Sequence, residues 1–265
     1  MEDVPRKKSV QNYYSKRAKD YDRQKIRTWK SERGFGTEMI NGITDALTGL
    51  EKDAVLEVGV GSGRIGFSVV EKIRPWFVGL DLSKEMVRLA KAKLSFCKTK
   101  FGLILGDAEH LPFINGFFDA IVCISTMHYF EFPERSLTEF SRALKTGGIF
   151  VYGDLAMHEL DNHGFFDILE RTLSKVHAKY SKPSEMKKIL ENHGFQVSKV
   201  EVFPYRKSFL ALMEDKGRYF DVKFETLYEC IREATIDEKK LYSINSEGLT
   251  LFYTLITALK EGKVV

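Results

Sequence analysis

The stretch Val55-Leu56-Glu57-Val58-Gly59-Val60-Gly61-Ser62-Gly63-Arg64-Ile65-Gly66 decides how the rest of this chain is read. A short apolar run ends in closely spaced glycines, and a helical pattern follows. Glycine lets a backbone turn tightly and come close to a ligand. A helix that starts there offers unpaired N–H groups to an anion. Gly61, Gly63 and Gly66 fit GxGxxG, and Asp81, twenty residues after Gly61, ends the next apolar run. An acid at that place can accept hydrogen bonds from a ribose diol. A nicotinamide-binding fold shows the same pattern, so the glycines alone leave two adenosine cofactors open.

Working outward, short apolar runs alternate with helical patterns. Strands are expected at 54–58, 76–80, 101–105, 118–124 and 148–153. The run 118–124 is continuously apolar, like a strand buried on both faces. Ser83 can cap a helix with Met86, Ala90 and Leu94 along one face. Leu137, Phe140 and Leu144 stripe another, with a stop expected at Lys145-Thr146-Gly147-Gly148. Such alternation implies a parallel sheet with right-handed crossovers and helices on both faces. The final third is less regular. Residues 156–180 read as an amphipathic insertion, 184–193 as a short helix stopped by Gly194, and 196–203 as a strand. Residues 208–247 read as mostly helical and 251–259 as a last strand. The two insertions are expected to sit together over the strand ends.

The chain has 265 residues, 43% apolar and 29% charged, which excludes wholesale disorder and fits one large domain or two small ones. Cys97, Cys123 and Cys230 are widely spaced and form no CxxC pair, so neither a disulfide framework nor a zinc site is expected. A cytoplasmic location is the simplest expectation. No stretch approaches the roughly 20 apolar residues of a membrane span, and the N-terminus lacks a signal-peptide run. The net charge of +4 is too mild to imply nucleic acid. Residues 1–30 hold ten Lys/Arg against four Asp/Glu, so the basic charge is concentrated there. Such an arm can meet an anionic substrate or surface, or form a solvated helix face docked through Tyr13, Tyr14, Tyr21, Ile26 and Trp29.

Three further features separate the two cofactors. Glu57, at the end of its strand, can hold an ammonium group but would repel a pyrophosphate. Gly106-Asp107-Ala108-Glu109-His110-Leu111-Pro112-Phe113 follows the third strand, where an aspartate can accept from an adenine amino group. Phe117-Phe118-Asp119-Ala120-Ile121-Val122 and Leu144-Lys145-Thr146-Gly147-Gly148 then follow in order. On these motifs the chain resembles the class I S-adenosylmethionine-dependent methyltransferases, of the small-molecule type related to ubiquinone and menaquinone biosynthesis. The likeness covers residues 10–153 well. It weakens through the insertions and returns at Gly194-Phe195 and the last strand.

The resemblance implies a doubly wound α/β fold with a mostly parallel seven-stranded sheet, its last strand antiparallel. It implies an N-terminal helical lid over 1–50. The methyltransferase domain would span 51–265, with insertions at about 156–182 and 205–248. The cofactor would be S-adenosyl-L-methionine and the product S-adenosyl-L-homocysteine. Glu57, Gly59, Gly61 and Gly63 would surround its methionine part. Asp81 would take the ribose hydroxyls, with Leu82 beside the adenine. Asp107 and Ala108 would read the adenine. Cys123 would approach the amino group through its backbone, and Tyr21 resembles an aromatic that closes over the site. The family often has Asp where this chain has Glu57. The acceptor would be a small molecule. A nicotinamide-dependent oxidoreductase and a non-catalytic cofactor-binding subunit are the alternatives. Oligomeric state is not legible.

Methyl transfer needs a general base only when the acceptor loses a proton as it attacks. His128, in Ser125-Thr126-Met127-His128-Tyr129-Phe130 after the fourth strand, is the candidate base; a packing histidine is its alternative. Asp154, ending the fifth strand, can face an acceptor or be a capping or solvated carboxylate. His158, His163 and His177 lack metal-ligand spacing. Tyr205, Phe209, Tyr219, Phe220 and Phe224 can line an apolar acceptor pocket or be core. Tyr219 and Lys223 match a YxxxK spacing used by some dehydrogenases.

Overall fold

The structure, a computed structural model, describes residues 4–22, 35–50 and 53–262. Ile26 and Trp29 lie outside the described residues. Ala54–Val58 forms β1, with all five residues buried. Two faces are covered at once, as a central parallel strand requires. Leu56 and Val58 join one core with Ile121, Cys123, Leu137 and Phe140. Val55 joins another with Met39, Ile43, Ile65 and Val69.

Helices α1 (Val4–Arg17) and α2 (Phe35–Ala46) precede β1. After it come α3 (Arg64–Ile73), β2 (Trp76–Asp81), α4 (Lys84–Leu94), β3 (Phe101–Leu105), β4 (Phe118–Ile124), α5 (Pro133–Ala143) and β5 (Leu144–Ala156). Then follow α6 (Phe165–Leu173), α7 (Pro183–Asn192), β6 (Phe195–Ser208), α8 (Phe209–Phe220), α9 (Phe224–Glu233), α10 (Ile236–Leu241) and β7 (Gly248–Lys260). The sheet has seven strands in the order β3-β2-β1-β4-β5-β7-β6. The first five strands pair in parallel, and β7 runs antiparallel to both β5 and β6. The chain moves outward from β1 to β3, then returns to β4 on the other side of β1. Ligands of open α/β sheets bind at such a switch, beyond the carboxyl ends of the strands.

Ser83 caps α4, its Oγ accepting from the Met86 N–H, and Gly194 has a left-handed φ of 79° after α7. The expected stop of α5 at 145–148 is displaced. The helix ends at Ala143, and Leu144 already pairs with Phe118 on β4. Leu144 is fully buried in the same core as Leu137 and Phe140, so apolar spacing did not distinguish a last helical turn from a first strand residue. The irregular register between Phe118 and Ala120 absorbs the glycines. Strand β6 is longer than expected and continues through Pro204. A proline interrupts a ladder least on an edge strand, and β6 is an edge.

Within residues 1–50, α2 and the turn that follows it pack Met39, Ile43 and Leu47 into the sheet core. It is α1 and the turn after it that lie over the strand ends. The segments 156–182 and 205–248 pack together, Phe166 and Leu169 meeting Leu212, Met213 and Tyr242 in a core of their own. No described helix is long and apolar enough to cross a membrane.

Candidate active site: two adjoining chambers

The first chamber opens where β1, β2, β3 and β4 end. Its walls include Tyr21, Glu57, Gly59, Gly61, Asp81, Leu82, Asp107 and Ala108. The glycine turn shapes it. Gly59 has a φ of 73°, and a Cβ there would overlap the Thr126 side chain. Gly66 lies inside α3, where a Cβ would fall 2.5 Å from Phe77 and 2.9 Å from Glu57 Oε2. Gly63 starts α3 and Cys123 is buried among core side chains. Neither lines the chamber; Ile124, Ser125 and Thr126 supply the β4 end of its wall. Ser125 holds a left-handed φ of 50°, a conformation costly outside glycine and concentrated at functional sites.

Glu57 is 3% exposed, and its Oε2 has no hydrogen-bond partner among the described residues. Burial pushes its carboxyl well above the usual range; Asp81 adds to this, and Arg64 and the Gly66 N–H partly offset it. Asp81 is also raised, chiefly by burial, although its Oδ2 accepts from the Gly61 N–H at 2.8 Å and its Oδ1 from the Ser83 N–H at 2.8 Å. Asp107 accepts from the Glu109 N–H at 3.0 Å.

Helix α1 lies across this chamber. Lys7 Nζ is 2.9 Å from Asp107 Oδ2 and 2.9 Å from Glu109 Oε2. Gln11 Nε2 donates to the Leu82 carbonyl at 2.9 Å, and Ser15 Oγ to Glu85 Oε2 at 2.6 Å. The Tyr14 and Tyr129 hydroxyls are 2.8 Å apart. Beyond α1, Ser62 Oγ donates to Asp22 Oδ1, whose other oxygen is 2.7 Å from Lys93 Nζ. Sequence reading missed Lys7 and Gln11. Their signal was spacing: Lys7, Gln11, Tyr14, Ser15 and Ala18 share one helical face.

A second chamber adjoins the first, sharing Tyr14, Tyr21, Arg64, Ser125 and Tyr129. His128 and Asp154 line it. His128 Nδ1 is 2.8 Å from Asp154 Oδ1, and the same carboxylate accepts from the His128 and Leu155 N–H groups. Asp154 is 1% exposed. With Asp154 ionised, Nδ1 carries the hydrogen and Nε2 the lone pair. The carboxylate thus fixes both tautomer and ring orientation.

His177 also lines this chamber, its Nε2 2.8 Å from Asp167 Oδ1. Burial, its largest influence, holds His177 below the usual imidazole value. His158 packs on Phe252, and His163 is exposed. Among the aromatic residues named from sequence, Tyr205 lines the second chamber. Phe209 is core, and Tyr219 and Phe220 pack against Tyr13. Phe224 is 37% exposed. Tyr219 and Lys223 do not share a helix, because α8 ends at Phe220 and Asp221 turns left-handed. The dehydrogenase spacing therefore has no helical face to act from.

Residues 56–152 match the family model described as a methyltransferase domain. The fatty-acid O-methyltransferase of Mycolicibacterium smegmatis is 33% identical over 112 residues, 42% of this chain and 40% of that protein. The malonyl-[acyl-carrier protein] O-methyltransferase of Geobacter sulfurreducens is 28% identical over 158 residues, 58% of this chain and 57% of that protein. The chain thus spans about half the length of these curated relatives. The solved structure of the YcgJ protein from Bacillus subtilis superposes with a TM-score of 0.75 at 21% identity, covering 85% of this chain and 99% of that one. The likeness carries the fold. Family model and topology agree: residues 56–152 match a methyltransferase domain, carried on a mostly parallel, Rossmann-like seven-stranded sheet.

Proposed function

We propose that this chain transfers a methyl group from S-adenosylmethionine to a small acceptor that loses a proton in the reaction. The observation that carries the cofactor reading is Glu57. A buried carboxyl with an unpartnered oxygen costs stability unless a ligand meets it. Beside a glycine turn, a cationic ammonium suits that oxygen and a pyrophosphate does not. Asp81 would accept from the ribose hydroxyls, Asp107 from the adenine amino group, and Tyr21 would cover the methionine part. Backbone groups at the β4 end, including that of Cys123, would complete the cradle around Gly59, Gly61 and Gly63.

When bound, the cofactor supplies a methyl group on a sulfonium, which leaves as a neutral thioether. This chain's residues align the acceptor, exclude water beneath α1 and accept a proton. His128 is the proton acceptor: Asp154 holds Nδ1–H, which leaves Nε2 to take the hydrogen from an acceptor hydroxyl. The fatty-acid and malonyl O-methyltransferases among the relatives support an oxygen nucleophile.

Calorimetry tests the cofactor half. S-adenosylhomocysteine should bind and NADH should not, and Asp81→Ala should lose about tenfold or more in affinity, the cost of a hydrogen bond to a charged group. NADH binding without S-adenosylhomocysteine binding would return the oxidoreductase reading. Labelled methyl transfer into a panel of hydroxyl-bearing small molecules tests the other half. His128→Gln should cut turnover about 10²–10⁴-fold while S-adenosylhomocysteine affinity holds. Unchanged turnover would leave His128 a packing residue.

A further inference from the structure

A second histidine of the adjoining chamber has a nitrogen that the fold does not use. His177 is 4% exposed and lines the chamber with His128. Its Nε2 donates to Asp167 Oδ1 at 2.8 Å, and that carboxylate also accepts from the Tyr180 N–H at 2.6 Å and from Arg171 Nε at 2.7 Å. Burial works to raise Asp167, but the bonds from His177, Tyr180 and Arg171 outweigh it and hold the carboxyl below its usual range. An ionised carboxylate only accepts, so the ring hydrogen of His177 sits on Nε2. Burial keeps the imidazole itself below its usual value, hence neutral. Nδ1 is therefore a bare lone pair, buried and with no hydrogen-bond partner among the described residues. Such an acceptor costs stability unless a ligand or a water meets it.

Asp167, on α6, is not among the described residues that wall the chamber. The two nitrogens of an imidazole diverge, so turning Nε2 out to Asp167 leaves Nδ1 on the chamber side. The His177 and His128 ring centroids are 5.8 Å apart. Tyr180 sits beside both, 4.3 Å from His177 and 5.2 Å from His128, and is itself stacked on Phe166. Each imidazole is thus held from behind by a carboxylate, His128 by Asp154 and His177 by Asp167. Each then presents one lone pair, Nε2 in His128 and Nδ1 in His177. A single hydroxyl satisfies one of these acceptors; two neighbouring hydroxyls satisfy both. Acceptors already fixed in place lose little freedom when they bind. The chamber has a volume of about 160 Å³. Cavities of about 150 Å³ hold one benzene-sized ring.

We propose that the second chamber takes an acceptor with two neighbouring hydroxyl groups on a body about one ring in size, one hydroxyl facing His128 Nε2 and the other donating to His177 Nδ1, with His177 as the specificity-determining residue. This deepens the methyltransferase reading and rests on it. The acceptor oxygen beside His128 forms its bond to the methyl carbon as the carbon–sulfur bond breaks. That bond's electron pair goes to sulfur, and the oxygen's proton goes to His128. The second O–H stays intact throughout. His177 takes no proton from it; it accepts a hydrogen bond and so decides which of the two oxygens meets the methyl group.

The test uses the full chain saturated with S-adenosylhomocysteine. Calorimetry compares catechol with phenol, and cis-cyclohexane-1,2-diol with cyclohexanol. At least one diol should bind about tenfold more tightly than its single-hydroxyl partner, the worth of a hydrogen bond to a buried acceptor otherwise left unmet. Which pair shows the preference tells an aromatic from an aliphatic acceptor. Nitrogen-15 NMR of the histidine rings reads the contact itself. The His177 Nδ1 resonance, assigned by its loss in His177→Gln, should be that of an unprotonated nitrogen and should shift when the diol binds. His177→Gln keeps an amide N–H for Asp167 but lacks Nδ1, so it should erase the preference while S-adenosylhomocysteine affinity holds. His177→Asn, whose amide oxygen can take the place of Nδ1, should restore part of it. Equal binding within both pairs, binding of neither diol, or an Nδ1 resonance that stays put would overturn the inference and leave the cofactor reading intact. Failure to bind S-adenosylhomocysteine would overturn both.

Discussion

Glu57 shows how a single residue trades stability for binding. Its carboxyl is buried and raised, so the folded chain keeps a proton where the unfolded chain has lost it. The sign follows from linkage: this group's contribution is fully present below the ordinary carboxylate range and is lost as pH rises through the raised value. Glu57→Gln removes the penalty and keeps the shape. The cofactor-free variant should therefore be more stable than the parent at neutral pH, and the difference should vanish in acid. Denaturant melts at a series of pH values measure this directly. The same variant should bind S-adenosylhomocysteine about ten- to a hundredfold more weakly, the worth of a charge-assisted hydrogen bond. A variant that is both less stable at neutral pH and equal in affinity would make Glu57 an ordinary core residue. Gly66 approaches closely and leaves no room for a Cβ beside the Glu57 carboxylate.

At the scale of elements, α1 is held by contacts of a different kind from the rest. Its buried side chains are few, chiefly Tyr13 and Arg17, and its docking to the strand ends runs through Lys7, Gln11, Tyr14 and Ser15. Partly exposed ion pairs contribute little, and an isolated helix of this length is marginal in water. Hydrogen exchange should find α1 weakly protected without cofactor and clearly protected with S-adenosylhomocysteine. Lys7→Met should speed exchange in the cofactor-free state. Strong, equal protection in both states would make α1 a permanent part of the fold. The contrast explains what was legible in the sequence. Strands β1, β3 and β4 read residue for residue, because β1 and β4 are apolar runs buried from both sides and β3 is short and sharply bounded. The glycine turn and Asp81 read equally well, since the local backbone itself demands them. Helix α1's docking face was not legible because it is polar, and apolar periodicity was the signal used. The resemblance places the backbone of Cys123, not its side chain, near the cofactor, and the side chain packs in the core that holds Leu137 and Phe140. His128, Asp154 and Tyr205 of the second chamber were legible singly, but Arg17, His177 and Lys207 were not placed beside them because they come from distant segments.

Among the described residues, two of the apolar cores have different tasks. The sheet core frames the first chamber; the other, made from both insertions, frames the second chamber through Tyr180, Leu212 and Leu251. Asp161 and Tyr242 join the insertions. The Tyr242 hydroxyl donates to Asp161 Oδ2 at 2.7 Å and accepts from the His158 N–H at 3.1 Å, while Asp161 also accepts from the Phe165 and Phe166 N–H groups. Burial, reinforced by the bond to Asp161, keeps the phenol protonated throughout the accessible pH range. Tyr242→Phe retains the ring and removes both hydroxyl bonds. It should cost about 1.5–3 kcal/mol, and each kcal/mol lowers Tm by roughly 2–4 °C in a chain of this size class. Because neither residue borders the cofactor chamber, S-adenosylhomocysteine affinity should hold while the KM for acceptor rises. Thermal melts with and without S-adenosylhomocysteine, together with the acceptor KM, separate the two effects. If cofactor affinity instead falls in step with stability, the two chambers share one frame, and an acceptor site built independently on the insertions is the wrong description of this fold.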